Sequence, residues 1–439
     1  MTGAATGVHA GQGRMRTGWV AHSRRIARAG DRKDAAARQD QRDASRDDRW
    51  LIRRLYRKVT SLKRVQSCGR SGTRPDGSVV LRVTDATGTK AQHTMGADGR
   101  VAGFGGLFSC GNVHVCATCS AKVAATRADE LERVLAHHVS AGGWAVLVTL
   151  TMRHHRGNGL DEALRAVGDA WQKVNSGGTW QADKNLADYA GYCRTIEITD
   201  GPNGWHPHVH AVLVFNSRPP EALLDKLAEG MWQRWCRSLG ASGFPLPDRE
   251  HGLDVQRMDP QAGADRHFET AQAWARYVCK GLASEALLGA GKTAKGHNRT
   301  IGELLRDAVI PQVWEDPDTH TLVETVDLTA RQRLAEYEQA TKGRKVVTWG
   351  GDIRAAAQLD EEQSDEEIVA EDLEGEDVAV LPSETWRTVE PRATELLAVT
   401  ERQGPDAARA WLDRLGVEWW RPTRLTDTRR TGVLPGADG

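Results

Sequence analysis

The chain has 439 residues, 39% hydrophobic and 27% charged, with 59 Lys+Arg set against 59 Asp+Glu. At roughly 150 residues per domain this is enough for two or three domains with real cores. No apolar run approaches the about 20 residues of a membrane helix, the Arg-studded start lacks a signal-type apolar stretch, and the seven cysteines suit metal ligation better than disulfides. Membrane, disulfide-scaffold and collagen-like classes are thereby excluded, and a cytoplasmic location is expected.

The balanced charge hides an asymmetry. Residues 1–64 carry 17 Lys/Arg against 6 Asp, whereas residues 360–377 carry 11 Asp/Glu and no Lys or Arg. The basic arm includes Arg53, Arg54, Arg57 and Lys58, interleaved with Trp50 and Tyr56, and these could follow a phosphate backbone. Charge alone better describes a solvated, partly helical tail. The acidic run reads as a disordered linker, because blocks of like charge repel and bury nothing.

In chain order, 1–48 reads as disordered within a basic arm 1–64. Residues 65–140 form a Gly-rich region with a strand at 79–83, ending in a helix whose apolar positions Val123, Leu131 and Leu135 recur at near-helical spacing. Strand 144–152, helix 160–174, strand 191–199, a turn at 200–204, strand 206–215, helix 220–239, strand 253–258 and helix 268–282 follow. That order predicts an α+β fold with a ferredoxin-like antiparallel sheet, over 141–290, with a hairpin at its centre. A helical extension at 291–355, with helices near 300–309 and 329–341 and a strand at 346–349, precedes the acidic linker 356–382 and a small helical C-terminal segment 383–439.

The strand His206-Pro207-His208-Val209-His210 places three imidazoles on one face, because successive strand side chains alternate. Two imidazoles two residues apart converge on one cation without bending the backbone. If the hairpin pairs symmetrically about its turn, Thr199 faces His206 and Glu197 faces His208, which adds a carboxylate to the donor set. Tyr277 and Lys280, three apart, share a helix face, so a phenol nucleophile and a stabilising ammonium can address one phosphate. That spacing also describes an amphipathic core tyrosine, but the other four tyrosines lie outside this helix. Cys110, Cys116 and Cys119, with Cys68 upstream, have the spacing of a zinc knuckle, the two-residue gap letting two thiolates reach one Zn²⁺. Buried free thiols are the alternative; Cys193, Cys236 and Cys279 fall inside elements and read as packing residues.

Val148-Thr149-Leu150-Thr151, then Trp205 to His210, then Tyr277-Val278-Cys279-Lys280 resemble, in that order, the three motifs of the HUH-superfamily rolling-circle replication initiators. The resemblance is nearest to Rep proteins of small plasmids from Gram-positive bacteria, notably actinomycetes, and covers roughly 68–349. It implies a site-specific single-strand DNA endonuclease and ligase acting on single-stranded or supercoiled origin DNA. Mg²⁺ or Mn²⁺ would be held by His208, His210, Glu197 and His206, with Tyr277 forming a 5′-phosphotyrosine and freeing a 3′-OH primer. It also implies host helicase and polymerase as partners and a structural Zn²⁺ on Cys68, Cys110, Cys116 and Cys119. Some relatives carry a glutamate four residues before the tyrosine, where this chain has Ala273; Glu269 and Glu285 are the nearest carboxylates. A transposase or mobilisation relaxase shares the histidine motif, and a non-enzymatic zinc-dependent DNA-binding protein would explain the cysteines alone. A metallohydrolase would need further ligands on separate strand ends, and none is as clear as Glu197.

Overall fold

The structure, a computed structural model, describes residues 36–85 except 38, 99–257, and 298–422 except 316, 317 and 319. Helix α1 covers residues 39–56 and α2 Lys63–Ser67; strands β1 (Val79–Asp85) and β2 (Arg100–Gly105) precede the long helix α3 (Ala117–Ser140). Then come β3 (Trp144–Thr151), α4 (Leu160–Val174), α5 (Gly178–Leu186), β4 (Tyr189–Gly201), β5 (Gly204–Phe215), α6 (Glu221–Ala241), α7 (Arg249–Gly252) and β6 (Leu253–Arg257). The expected helix 268–282, which carries Tyr277, Cys279 and Lys280, lies outside the described residues, as do Glu269, Ala273 and Glu285.

The main sheet has the order β6-β3-β5-β4, every pairing antiparallel. Helix α4 connects β3 to β4 across β5, and α6 connects β5 to β6 across β3. Two interleaved split β-α-β units result, the arrangement that the element order predicts. Helix α4 forms because Leu160, Ala163, Leu164, Val167, Trp171 and Val174 make one buried stripe, with Asp161 and Glu162 at its positive end and Lys173 at its negative end. Val209, Ala211, Leu213 and Phe215 of β5 are buried in the same core as Val167, Trp171, Met231 and Trp235. Helix α5 had no counterpart in the periodicity; its only buried side chains are Trp180 and Asp183.

Beyond β6 lie β7 (Arg299–Thr300), α8 (Ile301–Val309), a separate hairpin of β8 (Gln312–Glu315) and β9 (Leu322–Thr325), α9 (Leu328–Ala340) and β10 (Val347–Gly351). The expected helical extension thus also contributes strands: β10 and β7 both pair with β4 and widen the main sheet. Short helices α10 (Ile353–Ala356) and α11 (Asp365–Ala370), strand β11 (Glu376–Leu381), and helices α12 (Ser383–Val389), α13 (Ala393–Gln403) and α14 (Pro405–Leu415) complete the chain.

Several expected boundaries are corrected. The acidic run is no bare linker: it contains α11 and leads into β11, which pairs with β1 in a three-stranded sheet β11-β1-β2. Its charges are met by cations from elsewhere, Arg82 to Asp377 (2.6 Å) and Asp372 (3.1 Å), and Arg127 to Asp365 (3.4 Å) and Glu362 (3.6 Å). Ile368, Val369 and Val378 to Leu381 supply the buried side. The C-terminal helices are not a separate segment, since Trp386, Leu396 and Trp411 share a core with Val79, Leu81 and Trp50. Trp50, Phe104 and Trp386 meet edge to face, with centroids 4.8 to 6.5 Å apart. Region 65–140 is therefore divided: its strands join the C-terminus, while its cysteines pack with α1, α8 and α9.

The basic arm is corrected as well. Residues 39–48, expected to be disordered, are helical, and α1 is a packed strut. Arg53 is 4% exposed, lies 3.8 Å over the Trp50 ring, and shares Glu390 with Arg57 at 3.4 and 2.5 Å. Arg54 donates to the Pro391 carbonyl at 3.2 Å, and Arg46 pairs with Glu401. Tyr56 is buried and donates to Glu338. Of the four residues read as DNA contacts, Lys58 alone is exposed, without a carboxylate partner among the described residues.

Candidate metal centres and the family they belong to

Along β5, buried and half-buried positions alternate, which puts His206, His208 and His210 on one face. The β4–β5 turn sets the register: Gly201 pairs with Gly204, so Thr199 lies opposite His206, Glu197 opposite His208 and Thr195 opposite His210. Gly204 has φ +93°, and a Cβ there would come within 3.1 Å of the Arg156 backbone. The positive φ favours glycine at the turn that aligns the site, and the tight approach of Arg156 adds to that preference.

Glu197, His208 and His210 offer three ligand atoms within 4.8 Å of one another. Glu197 Oε2 lies 2.6 Å from His208 Nε2 and 3.0 Å from His210 Nε2. Burial alone would raise the Glu197 carboxyl, but the hydrogen bonds and charge of His208 and His210 hold it well below the usual carboxylate range. Thr149, opposite His210 on β3, places its Oγ1 3.0 Å from His210 Nδ1. His208 Nδ1 is buried with no partner among the described residues. Two imidazole nitrogens and a carboxylate, converging and half-buried, fit a divalent cation.

His206 is placed differently from the other two. Its Nδ1 lies 2.8 Å from His154 Nε2, outside the converging trio, and burial followed by the neighbouring His208 and His154 lowers its pKa to about 4. His154 was missed in the sequence; the run Arg153-His154-His155-Arg156 after β3 was the available signal. Tyr277 and Lys280 lie outside the described residues, so the second half of the expected site has no geometry here.

The four cysteines come together from two stretches of chain. All are buried, with Sγ separations of 3.6 Å (Cys68–Cys116), 3.7 Å (Cys68–Cys119) and 3.7 Å (Cys110–Cys119). A tetrahedral ion with Zn–S bonds of about 2.3 Å requires sulfur separations of about 3.8 Å. The donor set therefore fits Zn²⁺. Gly111, with φ +72°, turns the chain after Cys110, and the Asn112 N–H reaches the Cys110 sulfur at 3.4 Å. Cys116 precedes α3 and Cys119 sits in its first turn; hydrogen bonding, first from Cys110, holds Cys116 well below the usual thiol range, whereas the same neighbours push Cys119 well above it. His114 faces away, its Nε2 2.9 Å from the Arg344 carbonyl.

No helix among the described residues is long and apolar enough to cross a membrane. The family model described as "Replication protein" matches residues 109–394. A Streptomyces lividans protein named "Protein rep" is 27% identical over 357 residues, covering 69% of this chain and 76% of its own length. A Streptomyces cyanogenus protein named "Neomycin resistance protein" is 29% identical over 169 residues, which is 30% of this chain and 39% of that protein. No solved structure matches. The resemblance to actinomycete Rep proteins, first carried by the three motifs, stands on these matches. The chain belongs to the replication protein family.

Proposed function

We propose that this protein initiates rolling-circle replication of a plasmid by nicking one strand of origin DNA and later rejoining it. The observation that carries this reading is the convergence of Glu197, His208 and His210 on one strand pair in a chain of the replication protein family. Glu197, His208 and His210 would hold Mg²⁺ or Mn²⁺, which when bound supplies Lewis-acid polarisation of a phosphate oxygen. Tyr277 Oη would attack the scissile phosphorus; the new Tyr O–P bond forms as the P–O3′ bond breaks, the phenol losing its proton and the 3′ oxygen gaining one. Lys280 would sit beside the developing charge. The cysteine cluster would be a structural Zn²⁺ site at the base of α3, remote in role from the chemistry. Host helicase and polymerase would act on the exposed strand and its 3′-OH, in the cytoplasm.

Labelled single-stranded origin DNA, incubated with protein and Mn²⁺ and then denatured, tests this. Label should migrate with the polypeptide for the wild type, and neither adduct nor nick should form with Tyr277→Phe or in EDTA. Cleavage by the wild type without an adduct, or an adduct with Tyr277→Phe, overturns the assignment.

A further inference from the structure

The short connection from β3 to α4 lies against the histidine strand. His154 Nδ1 is 3.0 Å from the Asn203 carbonyl, an obligate acceptor, so Nδ1 carries the ring proton. The other nitrogen of the neutral ring then accepts, and His206 Nδ1–H donates to it at 2.8 Å. Through this one ring the loop is latched to both the β4–β5 turn and the histidine strand.

The loop also closes on itself. The His155 N–H donates to Asn158 Oδ1 at 2.9 Å, the Asn158 N–H returns to the His155 carbonyl at 2.9 Å, and the Gly157 N–H reaches His155 Nδ1 at 3.1 Å. Arg153 and Arg156 project from this fixed backbone and are exposed. Neither has a hydrogen bond or ion pair among the described residues, whereas Arg127, Arg299, Arg333 and Arg402 all end on carboxylates. Asp161, the acidic residue that follows, is taken by Arg344 and Arg165. The rings of His154, His206, His208 and His210 succeed one another at 4.9, 5.2 and 4.7 Å, a continuous row from the loop to the trio with Glu197.

We propose that loop 153–158 is a phosphate-binding platform for a single DNA strand running along the histidine row, with Arg153 and Arg156 as its cations. This rests on the nicking function proposed above and adds the strand's path beyond the scissile phosphate. Two guanidiniums unpaired among the described residues, on a loop whose backbone is already latched, offer bidentate donors to phosphate oxygens.

Full-length protein is titrated in EDTA against fluorescein-labelled oligothymidylate, by anisotropy, over a salt series. Each phosphate contact on a single strand contributes about 0.7 to the slope of log K against log salt. Arg153→Ala/Arg156→Ala should therefore lower the slope magnitude by about 1.4, while Arg153→Lys/Arg156→Lys retains it. Arg133→Ala/Arg414→Ala removes the same charge from exposed positions on α3 and α14 and should leave the slope unchanged. An unchanged slope in the loop double variant, or an equal fall in both alanine pairs, overturns the platform. Failure of the nicking reading registers separately, as an adduct persisting in Tyr277→Phe, and leaves this metal-free measurement intact.

Discussion

The Thr149 hydroxyl lies 3.0 Å from His210 Nδ1, directly across from it on the neighbouring strand. A hydroxyl both donates and accepts, so it can partner Nδ1 whether the ring proton sits there or on Nε2. When His210 gives its Nε2 lone pair to a cation, Nδ1 must carry the proton, and Thr149 Oγ1 then accepts it. Thr149→Val keeps the shape but removes that acceptor. It should weaken Mn²⁺ binding by about 10- to 100-fold, read by electron paramagnetic resonance titration, while Thr149→Ser stays near wild type. Equal affinities for the two variants would show that the hydroxyl has no part in orienting the ring.

Freshly purified protein should contain about one zinc per chain, measured by elemental analysis, given four thiols disposed about one point. Cys116→Ser or Cys119→Ser should lose it and unfold at lower urea concentration. Because bound thiolates must be deprotonated, zinc should also leave progressively as pH falls. Metal-free wild type with undiminished stability would refute the cluster's structural role.

Local pattern made the site's first half legible. The alternation along 206–210 and the two-residue spacing from Glu197 to Thr199 across a Gly-flanked turn were sufficient to place carboxylate against imidazole, because hairpin register is a short-range property. Long-range placement was not legible. The acidic run looked unable to bury anything until Arg82 and Arg127, hundreds of residues away in sequence, supplied its counter-charges. Arg53 and Arg57 likewise looked free until Glu390 met them. His154 escaped notice because its partners, Asn203 and His206, belong to the following hairpin, and no periodicity links them.

His138, near the end of α3, is 5% exposed and its Nε2 has no partner among the described residues. Burial, and then the neighbouring His137, lowers its pKa from 6.5, so the folded chain holds it neutral while the unfolded chain takes a proton. The unfolded state therefore binds more protons below pH 6.5, and stability falls as pH drops from there toward the folded pKa. Urea midpoints at pH 7.5 and 5.5 should differ less for His138→Leu than for wild type. An identical difference in the two proteins would rule out this residue as a source of the acid sensitivity.

Asp200 is 4% exposed at the end of β4 and is shared by two arginines: Arg299 at 2.6 Å on one oxygen, and Arg333 through both Nε and Nη2 at 2.9 and 2.8 Å on the other. Arg333 also lies 4.0 Å over the ring of Trp205, which is fully buried, and Arg299 continues to Asp307 and Asp327. These contacts bind the turn of the histidine hairpin to α8 and α9. Asp200→Asn preserves volume but removes the charge that both guanidiniums face. Breaking a buried pair of this kind costs about 3–5 kcal/mol, and partial exposure of the arginines brings the expectation to roughly 2–3 kcal/mol. Arg133→Ala, which removes an exposed pair with Asp129, should cost less than about 1 kcal/mol. Urea unfolding of both variants makes the comparison. A loss for Asp200→Asn no larger than for Arg133→Ala would mean that the hairpin is held by the packing of Trp205 alone.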